Sequence, residues 1–369
     1  LVFVDFFFDG SSYHLIEKSS QTLETYLKMY DYVIVTHIPA FYKINLYEEL
    51  SKHLNICVVF IAETTSEIRA DGFTSLSNLS FDYTCLNRGN FQDRKLLTSL
   101  LSLRKVLAPL KYKKIMLAGW DLPEFWYLAF THKQKYIVMV LESTIRESST
   151  TGLKRFIKTL FLSRISKVFA SGKEHISLLE QLGFKREVRV TNGVGLINKP
   201  ERVKKQGCYA KRFLFIGRLS TVKNLDFLVD VFNGLPDAHL TIIGDGPLIK
   251  ALQEKSKKNI LYMNKIANHA LGEQFLNHDV LILASLSEPW GLVIEEALYH
   301  GLPVIVSRYC GASELVKHGE NGFIFNPLDA SELKDIISSI NIESYAALLK
   351  GVEVNDIQVK DAKQIGSYL

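Results

Sequence analysis

Several protein classes are excluded by what this 369-residue sequence lacks. It has four cysteines, Cys57, Cys85, Cys208 and Cys310, far apart and without any C-x-x-C pair. That spacing speaks against a disulfide framework and a zinc site, and the thiols are expected to be reduced in an intracellular protein. No run approaches the ~20 apolar residues of a membrane-spanning helix. LVFVDFFF at 1–8 is apolar, but it has no basic flank and carries Asp5. It reads as a buried strand rather than a signal peptide. Low-complexity tracts and short internal repeats are absent. A large excess of one charge is lacking too: 44 Lys and Arg against 39 Asp and Glu give +5. Such a balance permits an anionic substrate or membrane surface and does not call for nucleic acid. The expected location is the cytoplasm, with a peripheral place on the inner face of the cytoplasmic membrane left open.

What is present is 47% hydrophobic residues in short bursts. That length and content suit two cores. FLFIG (213–217), LTIIGDGP (240–247), NILYM (259–263), DVLILAS (279–285) and LPVIVS (302–307) alternate with amphipathic stretches such as LDFLVDVFNGL. Strands bounded by glycine turns and separated by helices predict βα units on a parallel sheet covered on both faces. The first half repeats the rhythm in YVIVTHIPA, NICVVFIAE, KKIMLAG, KYIVMVLES and KVFASG, with a helix predicted over 41–54. The polar, basic stretch 192–212 reads as the interdomain linker.

The chemistry concentrates in two turns. In SEPWGLVIEEA at 287–297, Pro289 and Gly291 open a helix that Gly301 ends. Such a strand-to-helix turn lies at the carboxyl edge of a parallel sheet, where ligands bind. Its free N–H groups suit an anion. Glu288 and Glu296 flank it, eight positions apart. Carboxylates accept paired hydrogen bonds from vicinal hydroxyls. Alone, the two glutamates read more readily as a cap and a solvated helix residue. The second turn is GRLSTVKNLD at 217–226. Lys223 at a helix start opposes the helix dipole, which makes sense when an anion sits between. Arg218 and Lys223 together would neutralise a diphosphate and its developing charge on departure.

Together these turns resemble the retaining glycosyltransferases of family 4, with the GT-B fold. The resemblance rests on Gly217, Arg218, Leu219 and Lys223, on the turn Ile243–Pro247, on Glu288 and Glu296, and on CGASELVKHGENGFIF at 310–325. It covers about 213–327 and departs from the usual Gly-Gly at Cys310–Gly311. It implies two Rossmann-like α/β domains facing a central cleft. Residues 1–195 would bind the acceptor, with 1–31 an addition. Residues 196–345 would bind the nucleotide-sugar donor, and a helix at 346–369 would pack back on the first domain.

The implied donor site comprises Gly217, Arg218, Lys223, Gly244, Glu288, Glu296 and the backbone at Trp290, Gly291 and Leu292. Lys265 and Ile266 would line the base. Arg218, Lys223 and Glu288 would carry the catalysis. The donor would be a UDP- or GDP-linked hexose, with no cofactor and no metal, in keeping with the lack of an Asp-x-Asp motif. The implied product is a surface polysaccharide, lipopolysaccharide or other glycoconjugate, built on a glycan or lipid-linked acceptor.

On the acceptor side, strand ends offer His37, Trp120, Asp121 and Glu142, each with a plain capping or packing reading beside it. The stretch 152–167, GLKRFIKTLFLSRISK, is basic and amphipathic. It suits an anionic membrane surface or a packed helix with a solvated face. Two other functions stay open: a GT-B sugar-nucleotide epimerase, and a non-catalytic sugar-nucleotide-binding protein. The full set of leaving-group cations favours transfer over both.

Overall fold

The computed structural model describes residues 28–67, 72–74, 76–201 and 208–369. Residues 1–27 of the expected addition, and 202–207 of the expected linker, lie outside them.

The first domain is a seven-stranded parallel sheet in the order β3-β2-β1-β4-β5-β6-β7. Its elements are β1 (Met29–Thr36), α1 (Phe41–Ser51), β2 (Ile56–Thr64), β3 (Asp82–Asn90), α2 (Leu96–Leu107), β4 (Lys111–Leu117) and α3 (Pro123–Thr131). They continue with β5 (Ile137–Leu141), α4 (Gly152–Leu162), β6 (Lys167–Ala170), α5 (Lys173–Gln181) and β7 (Glu187–Val190). β2 is buried over its first seven residues because helices cover both sheet faces. One face buries Val33, Val35, Leu117 and Ile137 beneath α2, α3, α4 and α5. The other buries Ile34, Val58 and Phe169 beneath α1 and the chain's C-terminal end.

The second domain has six parallel strands in the order β10-β9-β8-β11-β12-β13. It runs β8 (Arg212–Ile216), α6 (Leu225–Asn233), β9 (His239–Ile243), α7 (Ile249–Lys255), β10 (Ile260–Met263) and α8 (Gly272–Asn277). Then follow β11 (Val280–Leu283), α9 (Leu292–Tyr299), β12 (Val304–Ser307), β13 (Gly322–Phe325) and α10 (Ala330–Ser339). Each sheet has one point where strand order reverses: β1 beside β4, and β8 beside β11. Parallel α/β sheets open a crevice at such points.

Three boundaries differ from the sequence reading. β1 starts at Met29, so residues 29–31 belong to the first strand rather than to an addition. The stretch 152–167 is helical only to Leu162; Arg164 turns back to donate to the carbonyls of Ala129 and His132, and Ile165 is buried. The tail from 346 is not one helix. Asn341 caps α11 (Ile342–Val354) with a capping box, and Asp356 caps α12 (Ile357–Tyr368). Tyr345 and Val352 of α11 join the second core. α12 alone crosses to the first domain, where Tyr368 stacks on Phe169 at 4.6 Å and Arg189 donates to the Ser367 carbonyl.

Candidate functional site

The β8–β11 crevice receives the two turns singled out in the sequence. After β8 the chain makes a short 3-10 turn, Thr221–Lys223, and enters α6 through Asn224 with φ 58°. The Leu286 N–H, just past β11, donates to the Val222 carbonyl and ties the turns together. The Lys223 ammonium thereby lies on the Glu288 carboxylate, both half-buried. Glu288 is held by its backbone: its N–H donates to the Tyr309 carbonyl, and its carbonyl accepts from Gly311. A Cβ on Gly311 would lie 2.2 Å from the Pro289 carbonyl oxygen, so only glycine permits this approach. Cys310 turns its thiol to the Trp290 carbonyl at 2.9 Å. Burial pushes that thiol well above its ordinary pKa.

Trp290 and Gly291 share this turn. Gly291 has φ 98° at the start of α9, and Leu292 is half-buried against the core. The Trp290 indole is buried and donates to Glu295 at 2.5 Å. Glu295 in turn accepts from Lys360 of α12 at 2.7 Å. Glu295 is fully buried, which raises its pKa against the pull of Lys360. Gly217 and Gly244 pack backbone to backbone, and a Cβ on Gly244 would stand 1.9 Å from the Gly217 oxygen. Lys265 and Ile266 follow the edge strand β10.

Two expected donor residues sit apart from this pair. Arg218 reaches across the cleft to Glu67 at 3.2 Å. Glu296 accepts from Asn268 at 2.6 Å, and Asn268 accepts from Asn198 at 2.6 Å. Glu296 opens on a cavity of about 260 Å³ shared with Asn198, Phe275 and His300, which Glu288 and Lys223 do not line. Burial lifts the Glu296 carboxyl to about 7, against the Asn268 hydrogen bond.

The acceptor-side candidates divide likewise. His37, after β1, and Asp121, after β4, meet at the reversal point, Nε2 to Oδ2 at 2.8 Å. Burial would raise Asp121, but the hydrogen bond and charge of His37 hold it below the ordinary carboxylate value. Glu142 pairs with buried Lys43 at 2.8 Å. Its carbonyl faces His175, whose burial pushes it down to about 4. Trp120 does not face the cleft pairs: its carbonyl accepts from Trp126, and its ring lines a pocket beside α4.

Several cleft residues were invisible in the sequence. Ser287 and Glu147 meet across the cleft at 3.5 Å. Burial and the nearby Glu288 charge both raise Glu147. Arg146 lies over the Tyr309 ring at 3.8 Å, and the Lys173 N–H donates to Glu314 at 2.5 Å. The ESTIRESS loop carries no local motif that would have marked Arg146 or Glu147.

Residues 198–345 match the family model for glycosyl transferases group 1. The chain is 32% identical to sulfoquinovosyl transferase SQD2 of Arabidopsis thaliana over 123 residues, 32% of this chain and 24% of that protein. The alignments span a quarter to about a third of the first curated relatives. Likeness to solved structures extends over nearly the whole chain. Sucrose-phosphate synthase from Thermosynechococcus elongatus superposes with TM-score 0.71 at 15% identity, covering 92% of this chain and 98% of that one. Anabaena HepE, solved in complex with UDP-glucose, gives 0.69 at 16% identity, over 91% and 98%. The fold is GT-B: two Rossmann-like α/β domains facing a cleft.

Proposed function

We propose that this protein is a retaining glycosyltransferase. It moves a hexose-type sugar from a UDP- or GDP-linked donor to a glycan or lipid-linked acceptor in surface-glycan or glycoconjugate synthesis. The observation that carries this reading is the Lys223–Glu288 pair at the β8–β11 reversal point. A donor's diphosphate competes for the Lys223 ammonium, which frees Glu288 to accept from sugar hydroxyls. Lys223, with Arg218 swung from Glu67, then stabilises the charge that grows on the departing diphosphate. Glu296, beside Asn268, accepts from the ribose diol. His37, Asp121 and Glu142 face the acceptor half. The UDP-glucose complex of HepE and a 30%-identical GDP-mannose-dependent mannosyltransferase of Corynebacterium glutamicum support a nucleotide-sugar donor of either base. No nucleophile or metal is assigned.

The test is a thermal-shift screen of UDP, GDP and their sugars, followed by turnover with the best binder in the presence of EDTA. A ligand of the native state raises apparent stability. No shift with any nucleotide, or turnover that needs added metal, would overturn the corresponding part of the reading.

A further inference from the structure

α4 departs from the usual helix of a parallel α/β layer. Its sequence GLKRFIKTLFL holds three cations and no carboxylate. Only Phe161 and Leu162 are buried, while Leu153 and Phe156 are 73% and 62% exposed and Ile157 and Leu160 stand open beside them. The outward face is thus both apolar and basic, the combination that enters an anionic lipid interface. Between α4 and α3 lies a pocket of about 280 Å³ lined by Trp120, Trp126, Lys154, Ile157 and Lys158. Trp126 stacks on exposed Phe130 at 5.7 Å, so the apolar surface continues onto α3. Lys158 sits 5.5 Å from the Trp120 ring centroid, and it donates to the Ser149 carbonyl. Burial and neighbouring Lys154 lower its pKa, as expected for two ammonium groups sharing a site with no counter-anion among the described residues.

We infer that this pocket is a subsite for the phosphate of a long-chain membrane lipid. Lys154 and Lys158, one helical turn apart, hold the phosphate, and Trp126 and Ile157 flank the start of the chain. Trp120 directly precedes Asp121, the partner of His37 at the acceptor-side reversal point. The subsite therefore adjoins the acceptor-side pair along the chain. The inference rests on the proposed transfer only in naming the lipid as acceptor; binding itself is independent of it.

The experiment is flotation of the full chain with three vesicle types: phosphatidylcholine alone, with phosphatidylglycerol, and with polyprenyl monophosphate at matched charge. Brominated acyl chains report contact with tryptophan. The chain has three tryptophans, and Trp290 is buried in the second domain. Binding should be strongest to the polyprenyl phosphate, with quenching that Trp120→Phe/Trp126→Phe removes. Lys154→Gln/Lys158→Gln should weaken partitioning roughly thirtyfold, and Lys154→Arg/Lys158→Arg should restore much of it. Inorganic phosphate should not compete appreciably, because it lacks the chain. Equal partitioning of the Gln variant and the parent would overturn the inference. So would equal affinity for phosphatidylglycerol, which would reduce the surface to general electrostatics. Nucleotide binding by the second domain checks that the variants fold; its absence in the parent would sink the transfer reading and leave the lipid result standing.

Discussion

The Lys223 ammonium rests on the Glu288 carboxylate, although the two residues come from different βα turns, 65 positions apart. Each group partly neutralises the other in this arrangement. Glu288→Gln should therefore cut transfer at least ~100-fold, while nucleotide diphosphate affinity holds or tightens as Lys223 loses its internal partner. Titration calorimetry beside single-turnover kinetics separates the two effects. Parallel loss of both would show that Glu288 is structural. Lys223→Ala should lower turnover and nucleotide affinity together.

Glu296 predicts a pH-dependent stability. Its folded value, near 7, lies above the ordinary 4.5. Between those values the folded chain keeps a proton that the unfolded chain has released. Stability should therefore fall as pH rises through this window and level off above it. The total loss is on the order of 3 kcal/mol. Glu296→Gln should flatten the slope in urea melts at the two ends of the window. A variant that keeps the parent's slope would place the effect elsewhere.

Lys360 of α12 neutralises Glu295, which holds the Trp290 indole. Lys360→Met leaves a buried carboxylate without its cation and should cost about 3–5 kcal/mol. Glu295→Leu in the same chain should recover only part of it, since the apolar pair removes the unpaired charge but leaves the buried Trp290 indole N–H without its acceptor. Denaturant melts of the two single variants and the double close the cycle. Additive losses would show that the pair is not coupled.

Gly244 and Gly301 both have positive φ, yet their surroundings differ. Gly244→Ala drives a methyl into the Gly217 carbonyl, which cannot give way, and should cost on the order of 3 kcal/mol along with nucleotide affinity. Gly301→Ala meets no atom within 4 Å. It should cost only the backbone strain, about 1 kcal/mol. Similar losses for both would mean that strain, rather than the close approach, decides.

The strands and strand-to-helix turns of the second domain were largely legible because their signals are local. Each βα turn displays its glycines and either its cations or its carboxylates within a dozen residues, so GRLSTVK and SEPWGLVIEEA could be read directly. β3 and α2 were not read. β3 is an edge strand with no fully buried residue, and its polar sequence DYTCLNRGN lacks an apolar burst. Exposed Leu97 and Leu101 further blur the inward stripe of α2. In the tail, residues 346–369 look helical throughout. The side-chain caps at Asn341 and Asp356 divide it into α11 and α12.

The sequence by itself determined two parallel α/β sheets, the position of the two strand-to-helix turns at the second sheet's reversal point, and the residue types within them. These follow from short-range physics: apolar bursts, glycine turns and helix starts. Only the tertiary structure decided which charges meet. It set Lys223 on Glu288, turned Arg218 to Glu67, placed Glu296 with Asn268, and brought Glu147 and Glu314 into the cleft. Those partners are separated by tens to hundreds of positions. An ion pair acts over a few ångströms, so its identity depends on how sheets and domains pack, which no local pattern records.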